Sequence, residues 1–303
     1  MKKFIINVLV FITITFIPIV LAFFCVFKYI ENCEHEKSTW VKVSHEVNIE
    51  RSLKNMNKCS CKKIVLIGGS NIGFGFDSQL LATTFNMPVY NTGTHAGLGL
   101  RLQIELFKDF LNTEDIVVLM PEYEQFYGLF LGDETMVRIV ASNENYKKKM
   151  SVKQIIHSSS YVFSALYDME EMTDSTGVYG SCALNKYGDI SAVRKHKIID
   201  PKKIEGEFDY DAVSYLKTFM SDCPSIVIIL PPVYQDKTFD LNLDKIKKTD
   251  SIFRENGIGF DAEPVRYRFN DTLMYDTPYH CTTEGAIIRT QLVIEDMYRI
   301  LGK

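Results

Sequence analysis

The sequence predicts an α/β fold, a parallel sheet covered by helices on both faces, carried behind one N-terminal membrane-crossing helix. Three observations predict it. Phe4 to Phe27 is an uncharged apolar stretch that follows Lys2-Lys3. From Lys62 onward, short β-branched runs alternate with amphipathic segments, the pattern of strand–helix–strand units. The first such run, Ile64-Val-Leu-Ile-Gly-Gly-Ser70, closes on two glycines and a serine, as a buried parallel strand does where it turns into a helix.

The anchor comes first in order. Its length exceeds the roughly 20 residues needed to cross a bilayer, and it ends Leu21-Ala-Phe-Phe-Cys25-Val-Phe, bulky where a signal peptidase site needs small side chains. An uncleaved anchor over residues 1–28 is therefore favoured over a removed signal, and either reading exports the remainder. The leading lysines place the amino terminus in the cytoplasm, although Lys28 reduces the charge asymmetry. Residues 29–61 are polar with little periodicity and read as an irregular stalk.

The domain proper, 62–303, then alternates. Ile64–Ile67, Pro88–Asn91 and Ile116–Met120 read as strands; Ser78–Phe85 and Leu98–Leu111 read as helices. The alternation lapses over about 134–209, which reads as an insertion lying over the strand ends. It resumes with a helix at Asp209–Met220, a strand at Ser225–Leu230, a helix at Leu243–Glu255 and a last short strand opening at Gly259-Phe260. A helix from about Thr283 to Leu301 closes the chain, capped by Thr282 or Thr283.

Composition removes several classes. A net charge of −4 and a pI near 5.9 leave no sequence-wide positive field, and the lysines at 147–149 and 202–203 are too few and too interleaved with acids to track a phosphate backbone. Nucleic acid is therefore not an expected partner. Of seven cysteines one lies in the anchor, leaving Cys33, Cys59, Cys61, Cys182, Cys223 and Cys281 for partial disulfide pairing or for buried thiols. Cys59-Ser-Cys61 is too tightly spaced for a zinc knuckle, so no metal and no cofactor is expected.

Loops at the carboxyl ends of the strands are where a parallel sheet gathers its chemistry. Gly68-Gly69-Ser70-Asn71 follows the first strand, and Ser70 is either a helix cap or a nucleophile beside the free N–H groups of a following helix at Asp77–Phe85. Asn91-Thr-Gly93-Thr-His95 follows the second; glycine there lets a backbone N–H approach a substrate oxygen, and His95 is a candidate substrate contact. Pro121-Glu122-Tyr123-Glu124 follows the third, making Glu122 and Tyr123 further substrate-binding candidates. Late in the chain, Asp276-Thr-Pro-Tyr-His280 offers a base for a serine and an acid to orient it.

At these residues the chain resembles the SGNH/GDSL hydrolase superfamily over roughly 62–302. The resemblance implies a flavodoxin-like three-layer α/β/α sandwich, with Ser70 as nucleophile, His280 as base, Asp276 as its orienting acid, and an oxyanion hole built from the N–H groups of Ser70 and Gly93 with Asn71. The family's aspartate before the serine is Gly69 here, its Asp-to-His spacing is one residue shorter, and Glu122 stands where its Gly-x-Asn-Asp block falls. With Asn185-Lys-Tyr-Gly-Asp189, these variants resemble a membrane-tethered subgroup associated with bacterial surface polysaccharides. What this implies is a cell-membrane enzyme, single-pass with its catalytic domain outside the cytoplasm, that adds or removes an O-acyl group, acetyl above all, on an envelope carbohydrate. Its implied partners are the acylated carbohydrate or acyl donor, the membrane through residues 4–27, and a membrane-embedded protein that delivers the acyl group. The alternative is a catalytically silent carbohydrate-binding or assembly protein on the same scaffold.

Overall fold

The computed structural model describes residues 1–40, 44–171 and 177–302. The chain divides into two compact units, Met1–Val41 with Asp133–Asp174, and Lys42–Gly132 with Ser175–Lys303.

The first unit is all helix. Helix α1 (Lys2–Trp40) is long and apolar enough over Lys2–Glu34 to cross a membrane. Pro18 lies within it, which a lipid-facing helix tolerates better than a soluble one. Its far end packs on α6 (Glu134–Ser142) and α9 (Val162–Glu171), with α7 (Glu144–Lys147) and α8 (Val152–Ser158) between them in sequence. Ile30, Val137, Ala141, Val162 and Ala165 form the core, against Phe23, Val26, Phe27 and Leu166. Arg138 and Glu34, both nearly buried, pair at 3.1 Å.

The second unit opens with α2 (Ser44–Met56). Residues 29–61 are thus largely helical rather than irregular, because α1 runs on through Trp40 and α2 carries an amphipathic face that buries Asn48, Ile49, Ser52 and Met56. A parallel sheet follows in the order β2 (Val89–Asn91), β1 (Ile64–Gly68), β3 (Ile116–Met120), β4 (Ile226–Ile229). Every residue of β1 and β3 is buried, so both faces of the sheet are covered, as continuous apolar runs predict. On one face Ile64, Leu66, Val118, Met120 and Ile228 meet Leu81 of α4 (Ser78–Phe85) and Val293 and Met297 of α13 (Thr283–Leu301). Each such aliphatic side chain stabilises the fold by about 1.5–3 kcal/mol.

At the amino ends of β1 and β3, Lys63 and Asp115 are both fully buried and paired at 2.5 Å. Asp115 also accepts the Lys63 N–H at 3.1 Å, so one carboxylate joins the strands where both enter the sheet. Around the sheet stand α3 (Ser70–Phe74), α5 (Leu100–Phe107), α10 (Tyr210–Asp222), α11 (Asp236–Leu241) and α12 (Leu243–Glu255). A separate parallel pair joins β5 (Tyr234–Gln235) to β6 (Arg268–Phe269).

Two expectations change. Gly259-Phe260 does not open a strand: the chain meets β4 through a single backbone bond, Asp261 N–H to the Ile229 carbonyl at 2.8 Å, and the Asp261 carboxylate accepts the Ile229 N–H at 2.7 Å in place of a ladder. The 134–209 stretch is not one insertion. Its first part, through Glu171, packs with α1, while 177–209 folds with the sheet unit.

Candidate active site

The strand order places a switch point between β1 and β3, since the chain leaves β1 toward β2 on one side and returns to β3 on the other. A crevice at the carboxyl ends of the strands forms there by topology alone, and Ser70 and Glu122 are the residues that meet in it.

Ser70 is partly exposed and is the first residue of α3, with Gly69 as N-cap. The helix beside it is this short turn and not the Asp77–Phe85 segment expected to supply free N–H groups: there the Asp77 carboxylate already accepts the Leu80 N–H at 3.0 Å. Glu122, which is buried, fills the space beside the serine. Its Oε1 accepts the Asn71 N–H at 3.0 Å, the Asn71 side-chain amide at 3.1 Å and the Ser70 hydroxyl at 3.4 Å. Gly69 leaves room for this carboxylate, since a Cβ at that position would lie 2.4 Å from Glu122 Oε1 and displace it.

Behind Asn71 stands a residue the sequence reading did not single out. Arg289 of α13 is fully buried and donates to the Asn71 carbonyl and, at 2.7 Å, to Asn71 Oδ1. Its guanidinium also lies 4.8 Å from the centre of the Phe76 ring. Burial pulls its pKa down, opposed by Cys281, Tyr267 and Glu122. Asn71 is therefore held between a buried cation and a buried carboxylate, accepting from one and donating to the other.

The late loop brings Asp276 and His280 together. His280 Nδ1 lies 2.8 Å from Asp276 Oδ1, and since a carboxylate only accepts, that nitrogen carries the proton, which in the neutral ring leaves Nε2 as the acceptor. The second carboxylate oxygen accepts the Tyr179 hydroxyl at 2.6 Å. Burial raises the Asp276 carboxyl, but the bonds from His280 and Tyr179 outweigh it and the net pKa falls below the usual value. The imidazole stacks on Phe74 with ring centres 4.0 Å apart. Phe74 is one helical turn beyond Ser70, so it shares a face with the serine, and the histidine is seated on the short helix that the serine opens. Ser70 and His280 are not hydrogen-bonded to each other; the hydroxyl is turned to Glu122.

The remaining candidates are committed elsewhere. The Gly93 N–H donates to Asn91 Oδ1 at 2.9 Å, so it is not a vacant oxyanion donor; the Asn71 backbone N–H serves Glu122, and its side-chain amide serves Glu122 and the Met120 carbonyl. Ser70 N–H alone has no hydrogen-bond partner among the described residues. His95 is exposed and caps a turn by accepting the Gly97 N–H at 3.1 Å. Tyr123 is 1 % exposed, packed among Tyr234 and Phe260 with its hydroxyl unpaired, and so is turned away from any substrate.

Asn91 owes its orientation to Asp189, a second residue whose role emerges only in the fold. Asp189 accepts from Asn91 at 2.8 Å, from the Ser78 hydroxyl at 2.5 Å, from the Ser78 N–H at 2.9 Å and from Asn185 at 2.9 Å. Gly188, with φ of +102°, brings this loop against the Asn91 carbonyl where a Cβ would lie 2.1 Å from it. The Asn185–Asp189 stretch therefore fixes the second-strand loop and, through Asn91, the Gly93 N–H.

Ser70, Gly73, Phe74, Gly93, Thr94, Leu184, Gly188 and Ile190 line a pocket with about 10 Å³ of free space, near the size that admits one water. A surface hollow of about 640 Å³ between α5 and α10 contains none of the candidate residues. Among the described residues no three His, Cys, Asp or Glu side chains are grouped to hold a metal ion. Cys59 and Cys61 are disulfide-bonded, and Cys25, Cys33, Cys182, Cys223 and Cys281 are free. No protein-family model, curated protein or solved structure matches the chain.

Proposed function

We propose that the chain is an SGNH-type serine enzyme of flavodoxin-like three-layer architecture, anchored by α1 with its α/β unit outside the cytoplasm, that moves O-linked acyl groups on an envelope carbohydrate. One observation carries the reading: the Asp276–His280 pair is seated by stacking on Phe74, in the helix that Ser70 opens. The strand-end crevice between Ser70 and Glu122 supports it.

In this reading the Ser70 hydroxyl turns from Glu122 toward His280 Nε2, gives up its proton and attacks the ester carbonyl carbon. The carbonyl electron pair moves to oxygen, met by the Ser70 N–H. Collapse expels the alcohol, which takes the proton from His280, and leaves an acyl-serine. A sugar hydroxyl then regenerates the enzyme as a transferase, or water does so as an esterase; transfer is the version that suits a tethered protein. A small acyl group such as acetyl is the one the motif resemblance implies. The carbohydrate, and a membrane-embedded protein that supplies the acyl group, come from the motif resemblance.

A second reading has its own observation. The Gly93 N–H is satisfied by Asn91, and each missing oxyanion donor costs about 3 kcal/mol of transition-state stabilisation, which suits a silent carbohydrate-binding scaffold. A fluorophosphonate probe separates the two. Labelling that disappears in both Ser70→Ala and His280→Ala supports the enzyme; an unlabelled wild-type chain that binds oligosaccharide supports the scaffold. With an acetylated donor and a sugar acceptor, free acetate as sole product would remove the transferase version.

A further inference from the structure

Helices α8 and α9, in the unit that contains α1, carry their apolar residues on the side that water would occupy. In α8, Gln154 is fully buried and Ser158 nearly so, whereas Val152, Ile155 and Ile156 are 73, 53 and 68 % exposed. In α9, Val162 and Ala165 face inward while Phe163 and Tyr167 are 62 and 67 % exposed. Helical spacing gathers Val152 with Ile155 and Ile156, and Phe163 with Tyr167, into one stripe on each helix. A helix on a water-facing surface shows the opposite arrangement, and large exposed apolar faces on soluble proteins mark something that covers them.

The position of α1 identifies the cover. Phe23, Val26 and Phe27 share one cluster with Val162, Ala165 and Leu166, so the end of the apolar stretch touches α9 itself. Before that end, Phe4, Phe11, Phe16 and Leu21 are each more than half exposed around a helix long enough to span. Directly after it come charges: Lys28 and Lys147 both pair with Glu31, at 2.8 and 2.9 Å, and the Lys147 ammonium lies over the Phe27 ring. That sequence of apolar, aromatic and charged groups is the one found where hydrocarbon gives way to lipid headgroups.

We propose that α8 and α9 lie in the surface plane of the bilayer that α1 crosses, with Val152, Ile155, Ile156, Phe163 and Tyr167 inserted at the boundary of headgroups and acyl chains. The occupant is lipid rather than protein, because α9, which carries part of the stripe, packs by its other face on the end of the segment that lipid must surround. The unit is then a collar that fixes the tilt and rotation of the anchor. This inference rests on α1 being a membrane span and is independent of any chemistry at Ser70.

The test uses the full-length chain in phosphatidylcholine and phosphatidylglycerol vesicles. Trp40 is the single tryptophan, so a Trp40→Phe background takes one new tryptophan at a time: Ile156→Trp, Phe163→Trp, Phe16→Trp for the span, and Tyr210→Trp as an exposed position in the other unit. Interfacial helices bury their apolar face roughly 5–10 Å deep, so lipids brominated high on the acyl chain should reduce emission about twofold at positions 156 and 163. Position 16, midway along the span, should respond to lipids brominated near the chain ends, and position 210 to neither. Quenching at 16 with none at 156 and 163 overturns the collar while leaving the span. Blue-shifted emission at 156 and 163 that bromine does not touch means a protein covers the stripe, and also overturns it. Absence of quenching at 16 removes the span and the collar together. Helical circular dichroism equal to the parent shows that the variants fold.

Discussion

Replacing Arg289 by methionine tests whether the serine turn is held from behind. Methionine keeps most of the side-chain volume, so the cavity contribution is small, and what is lost is the guanidinium. Two Asn71 oxygens then stand buried without their donor, and Glu122 loses the cation on the far side of Asn71. A buried acceptor left unsatisfied costs about 1–3 kcal/mol. Set against this, the variant no longer desolvates a charge, and one nitrogen of Arg289, Nε, has no partner to lose. Breaking one side of a buried charge arrangement typically costs 3–5 kcal/mol, and with these offsets the expected loss is about 3 kcal/mol. Urea unfolding of the full-length chain in detergent, followed by circular dichroism, measures it. Glu122→Gln is made alone and in combination, because the three side chains form one network and the double variant should lose at least about 1 kcal/mol less than the sum of the singles. A loss below about 0.5 kcal/mol for Arg289→Met, or additive costs, would refute the reasoning.

Gly93→Ala should be costly for another reason: the new Cβ would lie 2.3 Å from the Gly73 nitrogen and 2.9 Å from its Cα, and backbone cannot rotate away. About 2–3 kcal/mol of lost stability is expected, against about 1 kcal/mol for Gly257→Ala, where only the left-handed φ of +72° opposes a side chain; equal unfolding midpoints for the two would contradict this. Glu124 predicts a pH dependence. Burial, opposed by the Tyr279 hydrogen bond and aided by Glu122, raises its carboxyl from 4.5 to about 7. The folded chain therefore holds a proton that the unfolded chain releases, and this contribution is fully present below about pH 4.5 and lost as pH rises through about 7, by roughly 3 kcal/mol. Wild type minus Glu124→Gln, by urea midpoint from pH 4.5 to 7.5, isolates it, and a flat difference would count against it. Tyr179→Phe removes a donor to the Asp276 carboxylate worth about 1.5–3 kcal/mol, so fluorophosphonate labelling should slow about tenfold or more; an unchanged rate would show that Tyr179 does not position the pair.

The sheet was legible because β1 and β3 are short apolar runs buried on both faces, which leaves little choice of element, and β4 is a β-branched run buried over Ile228 and Ile229. Ser70, Asp276 and His280 were legible by residue type and by their place after strands or in one short loop. Arg289 was written in the sequence less plainly. It falls on the stripe Ala286, Arg289, Thr290, Val293, Met297, the buried face of α13, and a charged residue there needs a buried partner; no spacing rule says that the partner is Asn71, more than two hundred residues earlier. Tyr179, Asn91 and Asp189 belong to the same class, polar groups whose meaning depends on which loops the topology brings together. The helical lead-in escaped because polar residues continue α1 past its apolar stretch, and because the buried face of α2 mixes Asn48 and Ser52 with Ile49 and Met56.

The Lys63–Asp115 pair has a consequence for how such a scaffold varies. It pins the registration of the two central strands at their entry, roughly 16 Å of extended chain from the loops that carry Ser70 and Glu122. Slippage is guarded at one end, so residues at the other can be exchanged without shifting the strand pairing beneath them. Alignment is secured in one place, and change in the loops of Ser70 and Glu122 falls in another.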